Sequence, residues 1–370
     1  MEVTTNSEFG SGNKMNIGIL LPPAEKNNGG INRVAYNIMY EIKQMDVNHR
    51  LYTLGQTYKG IDYPMINTLT AYMKTTKMSF TLSAYPMDIV HTYYNPIDFG
   101  GNIHCKRIMT IHDLYTIINP QWFSKTYVDF QNNDMRAGAK KSDVIIAISK
   151  ATKSDIVYYY GIPEEKIKVV YLGVPRLFMK ETIKPLIIAH PERYILSVSA
   201  IAQNKNQTGL VKAFFHYKQL HKDDDVKLVL VGAMRQPEEM AALLQNNAEY
   251  KNDIIYTGYV TDDELLQWYD HATAFAYPSF YEGFGLPILE AMARGKAVIC
   301  SSTTSMPEVG GDAAKYCNPK EIDSITTALE NVLQNDGLRK NMEKKSLLQA
   351  AKFSYQKAAK ETLDIYESLI

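Results

Sequence analysis

Between Tyr277 and Gly311 the chain reads YPSFYEGFGLPILEAMARGKAVICSSTTSMPEVGG, and this stretch constrains the fold more than any other. Gly283 and Gly285 let the backbone turn sharply and approach a ligand closely. Pro287 suits the first helical position and Gly295 the residue after the last turn, so Ile288 to Arg294 is predicted as a short helix. Ala297 to Cys300 follows as a short buried strand, and another helix starts after it. A glycine loop feeding a helix N-terminus is an anion site, because N–H groups and the helix dipole point the same way. Two carboxylates frame it: Glu282 on the loop and Glu290 in the first turns of the helix. Taken singly, each is equally explained as a solvated charge near a helix start.

The remainder alternates strand and helix. Met15 to Leu21 is a buried first strand, followed by the loop PPAEKNNGGINRV and a helix from Ile31 to Gln44 with Val34, Ile38 and Ile42 on one face. Strand, glycine turn and helix open a doubly wound α/β domain, with its ligand expected at the carboxyl ends of the strands. Further strands are His49 to Leu54, Met87 to Thr92, Cys105 to Ile111 and Asp143 to Ile148. The third of these ends in His112-Asp113, where a histidine is well placed for chemistry. Ser149 is the N-cap of the helix after the fourth. From Arg176 to Glu192 periodicity is lost and Pro185 and Pro191 intervene, which predicts an interdomain linker. A second α/β domain opens with the strand Tyr194 to Ser199 and continues through strands at Lys227 to Gly232 and Ile254 to Gly258, with helices from Pro237 and Asp262. Helices then close the chain, over Glu321 to Gln334, Gly337 to Lys352 and Ser354 to Ile370.

A chain of 370 residues suits two domains. Its net charge is zero, which argues against nucleic-acid binding. Residues 15–185 carry 20 Lys and Arg against 14 Asp and Glu, a surplus suited to an anionic surface or a phosphate-bearing acceptor, or to chance. Cys105, Cys300 and Cys317 have no metal-ligand spacing and read as reduced core thiols of a cytoplasmic protein. Asp223, Asp224 and Asp225 lie in a polar turn and are expected to be solvated rather than metal-binding. No apolar run is long enough to span a membrane, and MEVTTNSEFGSGNK lacks the apolar core of a secretion signal; its SEFGSG reads as a cloning scar, with Met15 as the natural start. Tyr158, Tyr159 and Tyr160 are a candidate for peripheral membrane contact, with packing on a helix face the favoured reading.

The pattern E-G-F-G-L-P-x-x-E, preceded by Pro-Ser and followed by P-E-V-x-G-D-A, resembles the donor site of retaining glycosyltransferases with the GT-B fold, and glycosyltransferase family 4 among them. T-I-H-D-L at residues 110–114, YYYGIPEEKIKVVYLGV and FSYQKAAKETLDIYE are similar to other segments of that family. The resemblance implies two facing doubly wound, Rossmann-like domains. One covers 15–178, with the helix 354–370 packing back on it; the other, 193–353, binds the donor. It implies that Glu282 and His112 meet the transferred sugar, that Glu290 binds ribose, and that Lys205 holds the diphosphate. Gly29, Gly30, Gly283, Phe284, Gly285 and Leu286 fall to the donor by position, and the backbone at Val260 to the nucleobase. The loop AIAQNKN stands where the family has E-P-R-K-N, so Asn204 replaces an arginine and the diphosphate clamp loses a charge.

The implied reaction is retaining transfer of a hexose from a nucleotide diphosphate sugar to a hydroxyl of a glycan or lipid-linked acceptor. The donor class is GDP-mannose, UDP-hexose or dTDP-rhamnose, with no cofactor and no metal, in cytoplasmic polysaccharide synthesis at the inner face of the membrane. Two alternatives stay open: a non-catalytic partner subunit that binds sugar nucleotide or glycan, and an epimerase or phosphorylase on the same fold.

Overall fold

A computed structural model describes residues 14–20, 30–45, 49–54, 67–69, 86–93, 104–179, 188–235 and 237–370. Gly29 and most of the 56–86 segment lie outside the described residues. Within them, one sheet has strands β1 (Asn16–Leu20), β2 (Arg50–Leu54), β3 (Asn67–Leu69), β4 (Ile89–Thr92), β5 (Lys106–Ile111), β6 (Val144–Ala147) and β7 (Ile167–Val169). A second has β8 (Tyr194–Val198), β9 (Lys227–Val231), β10 (Ile254–Gly258), β11 (Ala274–Tyr277), β12 (Val298–Ser301) and β13 (Ala314–Cys317). The orders are β3-β2-β1-β4-β5-β6-β7 and β10-β9-β8-β11-β12-β13. Each sheet therefore starts in the middle, winds outward one way, then reverses, which is the doubly wound pattern predicted from the strand–glycine–helix opening. The pairings of β1 with β2 and β4, and those of β8 with β9 and β11, are parallel.

By packing, the chain forms two compact units. One comprises the described residues up to Ile111 with Asn133–Ile146 and Ala358–Ile370; the other comprises His112–Asn132 and Ala147–Lys357. A cut in the 176–192 segment gives the same division for 193–353 and differs for His112–Asn132 and for Ala147 up to the cut. Arg176–Met179, at the start of the expected linker, is a short 3-10 turn whose buried Phe178 ring packs edge-on against Tyr269, and residues 180–187 of that linker lie outside the described residues.

Helix Gly30–Gln44 buries Val34, Ile38 and Ile42 as its periodicity predicts. The closing helix Tyr355–Glu367 sends Tyr366 into the first unit, where its hydroxyl meets Nδ1 of fully buried His91 at 2.7 Å. Nε2 of the same ring meets Thr110 Oγ1 at 2.7 Å, so both nitrogens of a core histidine are satisfied.

In the second unit, β11 reads AFAY. Ala274 and Ala276 face a core with Ile195, Leu228, Phe214 and Ile299, while Phe275 and Tyr277 point to the opposite side. Asp224 is not solvated: its side chain is 7% exposed and receives Arg193 Nη1 at 2.9 Å, the Val226 N–H at 3.0 Å and the Tyr217 hydroxyl. Burial works to raise its carboxyl, but those donors and the arginine charge hold it below the usual carboxylate range. Tyr160 packs inside, as the helix-face reading expects, whereas Tyr158 is 80% exposed. Among the described residues no helix is long and apolar enough to cross a membrane.

Candidate active site

Strand order in the second sheet reverses between β8 and β11, so the loops leaving those two strands open beside each other. The β8 loop makes a 3-10 turn at Gln203–Lys205 and then places Asn206 in the left-handed region at φ 54°. Asparagine tolerates that conformation better than most residues, and here its side chain works as a pin. Nδ2 donates to the carbonyls of Pro278 (3.0 Å) and Pro319 (2.8 Å). Its amide oxygen lies 2.2 Å from where a β-carbon on Gly209 would stand, so only glycine fits there. Phe280 N–H (2.8 Å) and Ser279 Oγ (2.7 Å) both reach the Asn204 carbonyl, zipping the two loops together.

The result is a close ion pair: Lys205 Nζ lies 2.7 Å from Glu282 Oε1. Tyr277 Oη at 3.0 Å and Ser279 Oγ at 2.7 Å reach the same carboxylate oxygen. Glu282 is 11% exposed in its side chain and Lys205 24%, so the pair is sheltered but open to a ligand.

His112 follows β5 directly. Its carbonyl would lie 1.9 Å from a β-carbon on Gly283, so the glycine loop and the histidine loop touch backbone to backbone. Gly283 is thus a packing requirement of the protein itself, not solely an approach for ligand. Thr152 Oγ1 reaches the carbonyls of both His112 (3.3 Å) and Gly283 (3.2 Å). Asp113 Oδ1 accepts the Tyr115 N–H at 3.0 Å and orients the loop, as expected. Tyr281, 7% exposed, donates to Asp155 and receives the Leu114 N–H, adding a third tie to that loop.

Helix Leu286–Ala293 starts two residues before its predicted position, after Gly285 at φ +103°. A side chain there would also strike Met306 Cε at 2.4 Å. Gly295, at φ +67°, follows the helix as its cap residue predicts. Glu290 is 9% exposed and accepts the Tyr269 hydroxyl on Oε2 at 3.0 Å. Phe284 packs its side chain inward. Its ring is 3% exposed, 5.9 Å from Phe353 and 6.1 Å from Tyr171, so it fills an aromatic cluster and leaves only its backbone for a donor.

Leu286 heads the helix and is half-buried; Val260, also half-buried, follows β10 beside Gly258, whose carbonyl accepts the Gly232 N–H at 2.9 Å. Gly30 belongs to the other unit, at the head of helix Gly30–Gln44. Lys205, Glu282, the His112 loop and Glu290 therefore share one unit; the first three lie on adjoining loops, and Glu290 stands on helix Leu286–Ala293.

Sequence reasoning missed Asn206, Glu308, Tyr269 and the roles of Tyr277 and Ser279. Glu308, quoted only as part of P-E-V, accepts the N–H groups of Lys150 and Ala151 at 2.8 Å each and the Tyr171 hydroxyl at 2.9 Å. The AFAY alternation was the available signal for Tyr277, since it sends that ring away from the core containing the alanines. Among the described residues no cluster of three His, Cys, Asp or Glu side chains is arranged to hold a metal ion.

Family models match nearly the whole chain. The model for glycosyltransferase family 4 covers residues 28–176, and that for glycosyl transferases group 1 covers 178–348. The O-antigen chain mannosyltransferase B of Escherichia coli is 29% identical over 287 residues, 75% of this chain and 74% of that protein. The serotype-specific mannosyltransferase WbdA of Escherichia coli is 29% identical over 284 residues, 73% of this chain but only 34% of its own length. The chain thus spans about a third of the WbdA proteins it matches. Among solved structures, HepE of Anabaena, crystallised in complex with UDP and glucose, superposes with a TM-score of 0.72 at 17% identity, covering 96% of this chain and 100% of that one. That likeness is one of fold, the GT-B architecture of two doubly wound sheets.

Proposed function

We propose, from the premise that this chain belongs to glycosyltransferase family 4, the group 1 glycosyl transferases, that it moves a hexose from a nucleotide diphosphate sugar to a hydroxyl of a glycan or lipid-linked glycan with retention of configuration. The observation that carries this reading is the convergence of Lys205, Glu282 and the His112 loop at the reversal point of the second sheet. A cation and a helix start suit a diphosphate, while a carboxylate and a histidine suit a sugar. On departure of the diphosphate, positive character grows at the anomeric carbon and negative charge on the leaving oxygens. Glu282 faces the first and Lys205 the second. The leaving diphosphate takes the acceptor's proton on the same face, which gives retention. Glu290 binds ribose through hydrogen bonds unchanged during the reaction.

Mannose is the favoured sugar, because the relatives named above are mannosyltransferases. GDP-mannose therefore ranks ahead of UDP-hexose and dTDP-rhamnose as donor. Peripheral attachment to a membrane, with exposed Tyr158 at the surface, suits a lipid-linked acceptor. Neither metal nor cofactor enters this scheme. The test is release of nucleoside diphosphate from a panel of sugar nucleotides, with lipid-linked and free glycan acceptors, followed by NMR of the new linkage. Turnover of GDP-mannose with an α-linked product, undiminished by EDTA, is expected. An inverted product, strict dependence on magnesium or manganese, or nucleotide binding without turnover on any acceptor overturns the corresponding part.

A further inference from the structure

The two site glutamates stand on different elements, yet each is met by a buried tyrosine hydroxyl. Tyr277, 1% exposed at the end of β11, lies 3.0 Å from Glu282 Oε1; Tyr269, fully buried on helix Asp262–His271, lies 3.0 Å from Glu290 Oε2. Their rings flank Phe275 in a single stacked row, with centroid separations of 5.5 and 6.0 Å. Phenylalanine would fill either position as well by shape. A hydroxyl in such a place is tolerable only when it has an acceptor, so its presence points to the carboxylate it serves. Burial, and next the adjoining glutamate, push both hydroxyls well above the usual tyrosine range, so they remain protonated donors.

We propose that Tyr277 and Tyr269 are positioning residues for the donor reaction, each fixing one glutamate from a shared aromatic row. The proposal rests on the reading of the donor site given above. It matters most for Glu282. Lys205 holds that carboxylate in the structure, but a diphosphate draws the lysine toward itself. Ser279, the other donor in reach, has one proton and three acceptors: Glu282 Oε1, the Asn204 carbonyl at 2.7 Å and the Tyr281 carbonyl at 3.2 Å. Tyr277 is therefore the donor that keeps Glu282 aimed once the substrate is bound.

Each tyrosine should fail in the manner of its own glutamate. In the full chain, Tyr277→Phe is expected to lower kcat about tenfold while leaving the calorimetric Kd for the nucleoside diphosphate unchanged. Tyr269→Phe is expected to raise that Kd about tenfold with kcat at saturating donor unchanged. Glu282→Gln and Glu290→Ala, assayed beside them, set the reference for each pattern, and Tyr277→Phe added to Glu282→Gln should cost nothing further. Thermal unfolding of every variant verifies that the ring, and with it the row, is retained. If both tyrosine variants change kcat and Kd in parallel, or change only the unfolding temperature, the residues are merely structural and the proposal fails. If the two glutamate variants themselves do not separate, the donor-site reading fails first and takes the proposal with it.

Discussion

Two helices of the second unit begin with the same electrostatics and are used in opposite ways. At Lys150–Asp155 the chain satisfies the helix start itself. Glu308 takes the N–H groups of Lys150 and Ala151, and Ser149 Oγ takes that of Thr152 at 3.0 Å. At Leu286–Ala293 no side chain caps the start; Pro287 brings no N–H, and those of Ile288 and Leu289 turn back to the Gly285 carbonyl at 3.1 and 3.3 Å. A helix N-terminus attracts anions wherever it occurs. The protein's own carboxylate caps one start, while no side chain caps the other, and it is this second start that the proposed function assigns to the donor.

The contrast can be broken from either side. Beside the second of these starts, Lys205→Ala removes the cation proposed to face the leaving group and is expected to lower turnover by about 10²–10³-fold, with a smaller loss of nucleoside diphosphate affinity. Steady-state kinetics beside calorimetry measure this, and equal losses in both would reduce Lys205 to a binding residue. His112→Ala is expected to lower turnover about 10²-fold while donor affinity hardly moves, since the proposed sugar contact is one made chiefly in the transition state. An unchanged rate would return His112 to a purely structural role.

At the filled end the order reverses. Glu308→Ala leaves two backbone donors unsatisfied and should cost about 2 kcal/mol of stability, a fall of roughly 4–8 °C in Tm, without altering nucleotide affinity. Loss of affinity at unchanged Tm would mean that this carboxylate belongs to the ligand site after all. The smallest effect is expected away from both ends, at Asp224. Its folded carboxyl titrates below the unfolded value of about 3.9, so its stabilisation is present above that pH and is lost as pH falls through the folded value. Asp224→Asn should lower Tm at pH 7 by an amount worth about 1 kcal/mol and flatten the further decline between pH 5 and 2. Parallel Tm–pH curves for the two proteins would remove the carboxylate from the account.

How far these features were legible in the sequence follows from how local each one is. The strands of β1, β5, β8 and β10 and the helix 286–293 were readable within one or two residues, since period, glycine and proline act over a single turn. Lys205, Glu282, Glu290 and His112 were nominated from motif positions, and the structure sets all four in one unit, Glu290 on helix Leu286–Ala293 and the others on loops. The supporting residues were not legible. Glu308 caps a helix that starts more than 150 residues earlier, and Asn206 binds carbonyls 72 and 113 residues away. No window along a sequence shows such pairings. Asp224 misled for the same reason: in its own turn it looks solvated, but Arg193 and Tyr217 are brought to it by the tertiary fold.

The contact between Tyr366 and His91 has a consequence for how the chain is made. The first unit includes residues near the start and residues 358–370, with the second unit's main segment inserted between them. On a ribosome, His91 emerges long before the tyrosine that completes its hydrogen bonding. His91 therefore lacks this partner until more than two hundred further residues have been synthesised, and the first unit's packing is completed last. A stop codon just ahead of Tyr366 would thus injure the oldest part of the molecule rather than the newest.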